Sequence, residues 1–225
     1  LFDVRNRRWH TDLMSLLELD PKLMPPAYEG PEVTGKLLPD IAAQTGLPAG
    51  LPVVAGGGDQ AAGGVGCGIV RPGIVSASLG TSGVVFAFSE DVSTDPKGRV
   101  HTFCHAVPGK WHVMGVMLSA GGALQWFRNT LCKEERDKAT ASGRDAYEYI
   151  TENASSIKPG AEGLIFLPYL TGERTPHKDP YAKAAFIGLS LRHTKAHMAR
   201  AVLEGVGFGM RDSLDIMREM RIPLT

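Results

Sequence analysis

Short apolar runs broken by glycine organise the middle of the chain. Pro52, Val53 and Val54 favour an extended backbone, and the run stops at Gly56, Gly57, Gly58 and Asp59. Small residues through Ala61 and Ala62 then predict a helix. Residues 74–79 and 84–86 are two apolar stretches flanking Gly80, Thr81, Ser82 and Gly83, which predicts a β-hairpin with a tight turn.

Before this centre, residues 1–19 predict a short strand, a basic turn and an amphipathic helix carrying Leu13, Leu16 and Leu17 behind a Thr11 cap. Residues 20–39, rich in proline and glycine, read as a surface connection with little regular structure. Residues 40–45 form a short helix closed by Gly46. After the hairpin comes a polar loop, then two strands around Pro108 and Gly109. Ser119 stands where it would cap a helix through Gly121, Gly122, Gln125 and Trp126. Residues 144–157 are a charged amphipathic helix, followed by a buried strand, a loop dense in charge and proline, another strand and a long helix. Val202, Val206 and Met210 give that last helix an apolar stripe, and Glu173 and Arg174 in the loop read as an ion pair fixing the domain, with substrate contacts as the alternative. Strands alternate with helices, so the fold class is α/β.

Composition removes several function classes. Lys plus Arg and Asp plus Glu number 24 each, which gives no basic field for nucleic acid. Hydrophobic residues make up 43% of the 225 residues, enough for a substantial core, and no apolar run approaches the length of a membrane span. Cys67, Cys104 and Cys132 are scattered and odd in number, so the expectation is free thiols in a reducing cytoplasm. Arg5, Arg7 and Arg8 read as a solvated surface turn. Residues 30–36 have the spacing of a phosphate-binding Walker loop, but Leu37 replaces the hydroxyl residue and prolines stand where a strand should precede. His101, Cys104 and His105 lie in a strand pattern, and His193 and His197 lack a third ligand nearby, so no metal site is expected from either group.

Chemistry concentrates at three places. Asp59 follows the end of a strand and begins a helix, where open α/β sheets place their ligands; it is a candidate general base, or a helix cap. The turn at Gly80, Thr81, Ser82 and Gly83 offers amides and hydroxyls suited to phosphate, or is a plain connection. Gly121 and Gln125 share a helix face, with glycines small enough for a phosphate or ribose to approach the positive helix end, or for the helix to pack closely.

The segment GGGDQAAGGVG followed by SLGTSG resembles the junction between the two domains of the FGGY family of carbohydrate kinases. A second family signature is matched by Ala184, Gly188, Leu189, His197, Ala201 and Glu204, with Lys183 where relatives often carry arginine. The resemblance implies an actin-like ATPase or ribonuclease H-like fold, with residues 1–71 closing a sugar-binding domain and residues 72–225 opening a nucleotide-binding domain across a hinge at Arg71 and Pro72. It implies that Asp59 is the base that deprotonates the sugar hydroxyl and that Gln60 touches the sugar. It implies that Gly80 and Thr81 hold the γ-phosphate and that Gly121 and Gln125 contact ATP, with Mg2+ bridging the phosphates. The expected substrate is a ketopentose, D-xylulose first, with ribulose, gluconate or glycerol as alternatives; a non-catalytic nucleotide-binding module is the competing class. Family members often form dimers, and they carry an N-terminal Asp-x-Gly-Thr motif and a C-terminal glycine-rich motif not found in this chain, which is therefore expected to be a central fragment.

Overall fold

The structure is a computed structural model that describes residues 1–224. Its first part is built from small pieces. Strands β1 (Phe2–Asp3) and β2 (Arg8–Trp9) pair as a hairpin and lead into helix α1 (Thr11–Leu16). Strand β3 (Val33–Lys36), helix α2 (Pro39–Thr45) and strand β4 (Pro52–Val54) follow, with β3 antiparallel to β4. Pro39 opens α2 and Gly46, at φ 74°, closes it in the left-handed conformation. Helix α3 (Asp59–Gly66) begins at the end of the Gly56–Gly58 run.

A four-stranded antiparallel sheet forms the centre. The hairpin β5 (Val75–Leu79) and β6 (Gly83–Ser89) joins the hairpin β7 (His101–Cys104) and β8 (Trp111–Met117) in the order β5-β6-β8-β7. Alternation along the strands gives the sheet two apolar faces. Val85, Ala87 and Val113 pack with Ile216 and Met217, whereas Phe86 and Phe88 pack with Ile69 just beyond α3. Helices α4 (Gly121–Leu131), α5 (Lys133–Ser142) and α6 (Ala146–Ser155), strands β9 (Ile165–Leu167) and β10 (Ala185–Ile187), and the long helix α7 (Lys195–Glu219) complete the fold. Their shared core joins Phe127 of α4, Ile150 of α6, Phe166 of β9 and Val202 of α7.

Residues of the second sequence signature fix this packing. The Thr194 amide donates to His197 Nδ1 at 3.1 Å, which caps α7, and Glu204 accepts the Gly160 amide at 2.9 Å. Helix α6 starts with a full capping box, Asp145 with Glu148, as its charged pattern suggests.

Five expectations are corrected. His10, not Thr11, caps α1, accepting the Leu13 amide, and Met14 is buried while Leu16 and Leu17 are exposed. Residues 20–39 hold a strand, β3, whose partner β4 lies on the far side of α2 in the chain. Arg7 is not solvated: it pairs with Glu29 at 2.7 Å, donates to the Lys110 carbonyl at 2.7 Å and stacks over Trp111. Ser119 caps nothing, since Ala120 holds the cap position of α4 and the Ser119 hydroxyl meets Thr171 Oγ1 at 3.2 Å. Glu173 and Arg174 do not form an ion pair; Glu173 Oε1 accepts the amides of Leu118 and Arg174, each at 2.8 Å.

Helix α7 reaches β9 because Gly205 has no side chain. A Cβ there would lie 2.3 Å from the Phe166 carbonyl oxygen, while one at Gly207 would meet nothing within 4 Å. Gly205→Ala is expected to destabilise the fold by about 1–3 kcal/mol through overpacking, and Gly207→Ala to stabilise it by up to about 1 kcal/mol through helix propensity. Denaturant midpoints of the two variants check the pair, and equal shifts would contradict this packing.

Candidate active site

Asp59 sits at the first position of α3, with Gly58 as the cap residue. A capping carboxylate would occupy the Gly58 position and reach forward over the first turn; Asp59 Oδ1 instead accepts its neighbour's amide, Gln60 N–H, at 2.7 Å. The cap reading therefore fails, and the helix dipole favours negative charge at this place. Asp59 and Gln60 line a cavity of about 590 Å³. Its walls come from Phe2 and Val4 on one side and from Phe103, His112 and Met114 of the central sheet on the other. Arg7 and Trp111 hold these walls together, since Trp111 Nε1 donates to the Val4 carbonyl at 2.7 Å beneath the Arg7 guanidinium.

One residue of this cavity carried no sequence signal as a site. His112 is 4% exposed and stacks on Phe86 with ring centroids 4.4 Å apart. Burial lowers its pKa to about 4, helped by the neighbouring His105, and its Nδ1 has no hydrogen-bond partner among the described residues. It is thus a neutral polar group facing the cavity that Asp59 opens onto. The alternation His112, Met114 along β8 was visible in the sequence; its placement against α3 was not. The thiol of Cys104 turns to the Val4 carbonyl at 3.6 Å, while His105 packs edge-on against Phe86.

Gly80, Thr81 and Gly121 form one hydrogen-bonded unit. The amides of Ala120 and Gly122 donate to the Thr81 carbonyl at 2.9 and 3.0 Å, and the Gly121 amide donates to the Gly80 carbonyl at 2.8 Å. A Cβ on Gly121 would stand 2.5 Å from that oxygen. The glycines at the start of α4 thus admit the hairpin turn, and the amides that would have cradled a phosphate at this helix end are occupied by it. The turn keeps its own donors: the N–H groups of Thr81 and Ser82 have no partner among the described residues, and both residues are exposed. Gln125 lies one turn along α4, exposed. The structure therefore yields two clusters, Asp59 with Gln60 and the turn with Gly121, and Gln125 shares the helix of the second.

Residues 1–66 match the model of the N-terminal domain of the FGGY family of carbohydrate kinases, and residues 75–225 match the model of its C-terminal domain. The chain belongs to the FGGY family of carbohydrate kinases. It is 45% identical over 215 residues to a xylulose kinase of Escherichia coli, covering 96% of this chain and 42% of that protein. It is 32% identical over 211 residues to a gluconokinase of Bacillus subtilis, covering 93% of this chain and 41% of that one. Among solved structures, a xylulose kinase from Rhodospirillum rubrum superposes with a TM-score of 0.82 at 35% identity, over 96% of this chain and 42% of that one. The chain thus spans less than half the length of these FGGY relatives, and its fold is that of the family, actin-like and ribonuclease H-like.

Two measurements check the geometry. The folded state keeps His112 neutral down to about pH 4, while the unfolded chain takes up the proton near 6.5, so this contribution is whole above 6.5 and is lost as the pH falls toward 4. His112→Phe is expected to flatten the acid side of the stability profile, by up to about 3 kcal/mol at pH 4; an unchanged profile would contradict the burial. Gly121→Ala is expected to speed amide exchange at residues 120–122, and equal protection in both proteins would show that the turn does not rest on α4.

Proposed function

We propose that the full-length protein is an ATP-dependent sugar kinase that phosphorylates the terminal hydroxyl of a ketopentose, D-xylulose first. The observation that carries this reading is the pairing of a carboxylate at a glycine-flanked helix start, open to a cavity, with a turn whose exposed amides are unpartnered among the described residues. In this reading Asp59 takes the proton of the sugar hydroxyl as its oxygen attacks the γ-phosphorus; the bond to the bridging oxygen breaks and ADP leaves. Gln60 holds the sugar. Gly80 and Thr81 bind the γ-phosphate through the turn amides, which stabilise charge on the transferred group. Gly121 shapes that turn, and Gln125, one turn along α4, contacts the nucleotide.

Mg2+ enters as part of the Mg·ATP substrate. Such an ion is held chiefly by phosphates and water. The gap between the two matched segments, residues 67–74, supports a hinge at Arg71 and Pro72 between residues 1–71 and 72–225. Three free cysteines fit a reducing cytoplasm, and no helix among the described residues is long and apolar enough to cross a membrane.

The likeness to a gluconokinase favours a second reading, in which the acceptor is another sugar or polyol. Coupled ADP release from the full-length protein with Mg·ATP and xylulose, ribulose, gluconate or glycerol decides between them. Xylulose is expected to give the highest kcat/KM, and Asp59→Asn to lower kcat at least about 100-fold while ATP binding persists. Normal turnover in that variant would remove Asp59 as the base, and ATP binding without ADP release from any acceptor would point to a binding module.

A further inference from the structure

Strand β7 is short. It pairs with residues 111–114 of β8, so among the described residues the outer edge of β8 beyond Gly115 has no strand beside it. Groups of residues 171–175 take the place of a ladder there. Val116 and Leu118, two residues apart, turn their backbone groups to this edge. The Thr175 amide donates to the Val116 carbonyl at 3.0 Å, the Val116 amide to Thr175 Oγ1 at 3.1 Å, and the Leu118 amide to Glu173 Oε1 at 2.8 Å. One step further, the hydroxyls of Ser119 and Thr171 meet at 3.2 Å. The next three residues, Ala120 to Gly122, are those whose amides hold Gly80 and Thr81.

Glu173 is the unusual member of this clamp. It is 2% exposed, and while Oε1 takes two amides, Oε2 has no partner among the described residues. Burial raises its pKa, against the lowering effect of the two amides. A carboxylate is costly in such a place unless its hydrogen bonds repay the lost hydration. What this one does is tie two backbone segments that are distant in sequence at one oxygen.

We propose that Glu173 is a positioning residue for phosphoryl transfer: it fixes the end of β8, hence the start of α4, and hence the hairpin turn of Gly80 and Thr81. Glu173 touches neither reactant; it acts through Leu118 and α4. The proposal rests on the reading that this turn receives the γ-phosphate. A phosphate-binding turn displaced by a fraction of an ångström loses its best geometry in the transition state.

The test compares Glu173→Ala, Glu173→Asp and Glu173→Gln in the full-length protein by steady-state kinetics and by amide exchange. Gln keeps an oxygen at the Oε1 position, whereas Asp keeps the charge but withdraws the oxygen by one methylene. Expected for Ala and Asp is a fall in kcat on the order of 10- to 100-fold with a raised KM for ATP and an unchanged KM for sugar, while Gln stays within about threefold of wild type. Exchange is expected to quicken at the hydrogen-bonded amides of Gly80, Leu118 and residues 120–122 in Ala and Asp and not in Gln. A purely structural role would lower the melting temperature and leave both KM values and turnover per folded molecule unchanged, and that result overturns the proposal. If Ala does not fold, Asp carries the same decision. If wild type releases no ADP with any acceptor, the proposed function falls, and exchange alone judges the coupling: unaltered protection of the Gly80 amide and of residues 120–122 in Asp overturns it.

Discussion

The contact on which the candidate site depends is the approach of two backbones, the hairpin turn and the first residues of α4. Three amides donate to two carbonyls across it, and the absence of a side chain at Gly121 lets the backbones come this close. Each such hydrogen bond contributes about 1 kcal/mol net, so their importance is geometric more than energetic. With its carbonyls turned to the helix, the turn keeps the Thr81 and Ser82 amides for other partners. A helix end that sequence patterning marks as an anion site thus lends its donors to a loop, and the loop becomes the proposed anion site.

Everything behind that contact serves to hold it. Helix α7 lies against one face of the central sheet through Met217 and Ile216, and against β9 through Gly205. On the other face, Phe86 and His112 stack beneath α3, which carries Asp59 at its start. A Cβ at Gly64 of α3 would lie 2.9 Å from the Phe86 ring, so helix and sheet meet without a spacer. The carboxylate and the turn therefore sit on elements packed against one sheet, while Arg7 and Trp111 fasten the N-terminal strands to its edge. That arrangement permits a cavity with a charged group at its mouth and an apolar wall, in which electrostatic effects are stronger than in water.

Local signals make much of this legible in the sequence. The glycine run before Asp59, the hairpin turn, Gly46 at the close of α2, and the apolar stripe of α7 all describe events within a few residues, and the structure contains each of them. The pattern misleads where a partner lies far away. Ser119 resembles a cap until Thr171, 52 residues on, takes its hydroxyl. Arg7 resembles a solvated arginine until Glu29 and Lys110 meet it. Helix α5, rich in charge and short of apolar residues, carries too weak a stripe to be seen in the pattern.

The sequence by itself marked candidate residues and determined many of the local shapes that hold them, because glycine, proline and apolar spacing act through the backbone of their own segment. Tertiary structure decided how the polar groups are used. Whether an amide is free for a ligand depends on which carbonyl lies opposite, and here the carbonyls of Gly80 and Thr81 come from far upstream of the amides that they occupy. The same holds for Glu173, whose oxygen meets Leu118 from 55 residues away. Hydrogen-bond capacity is written in the chain, but its allocation is settled only when distant backbones meet.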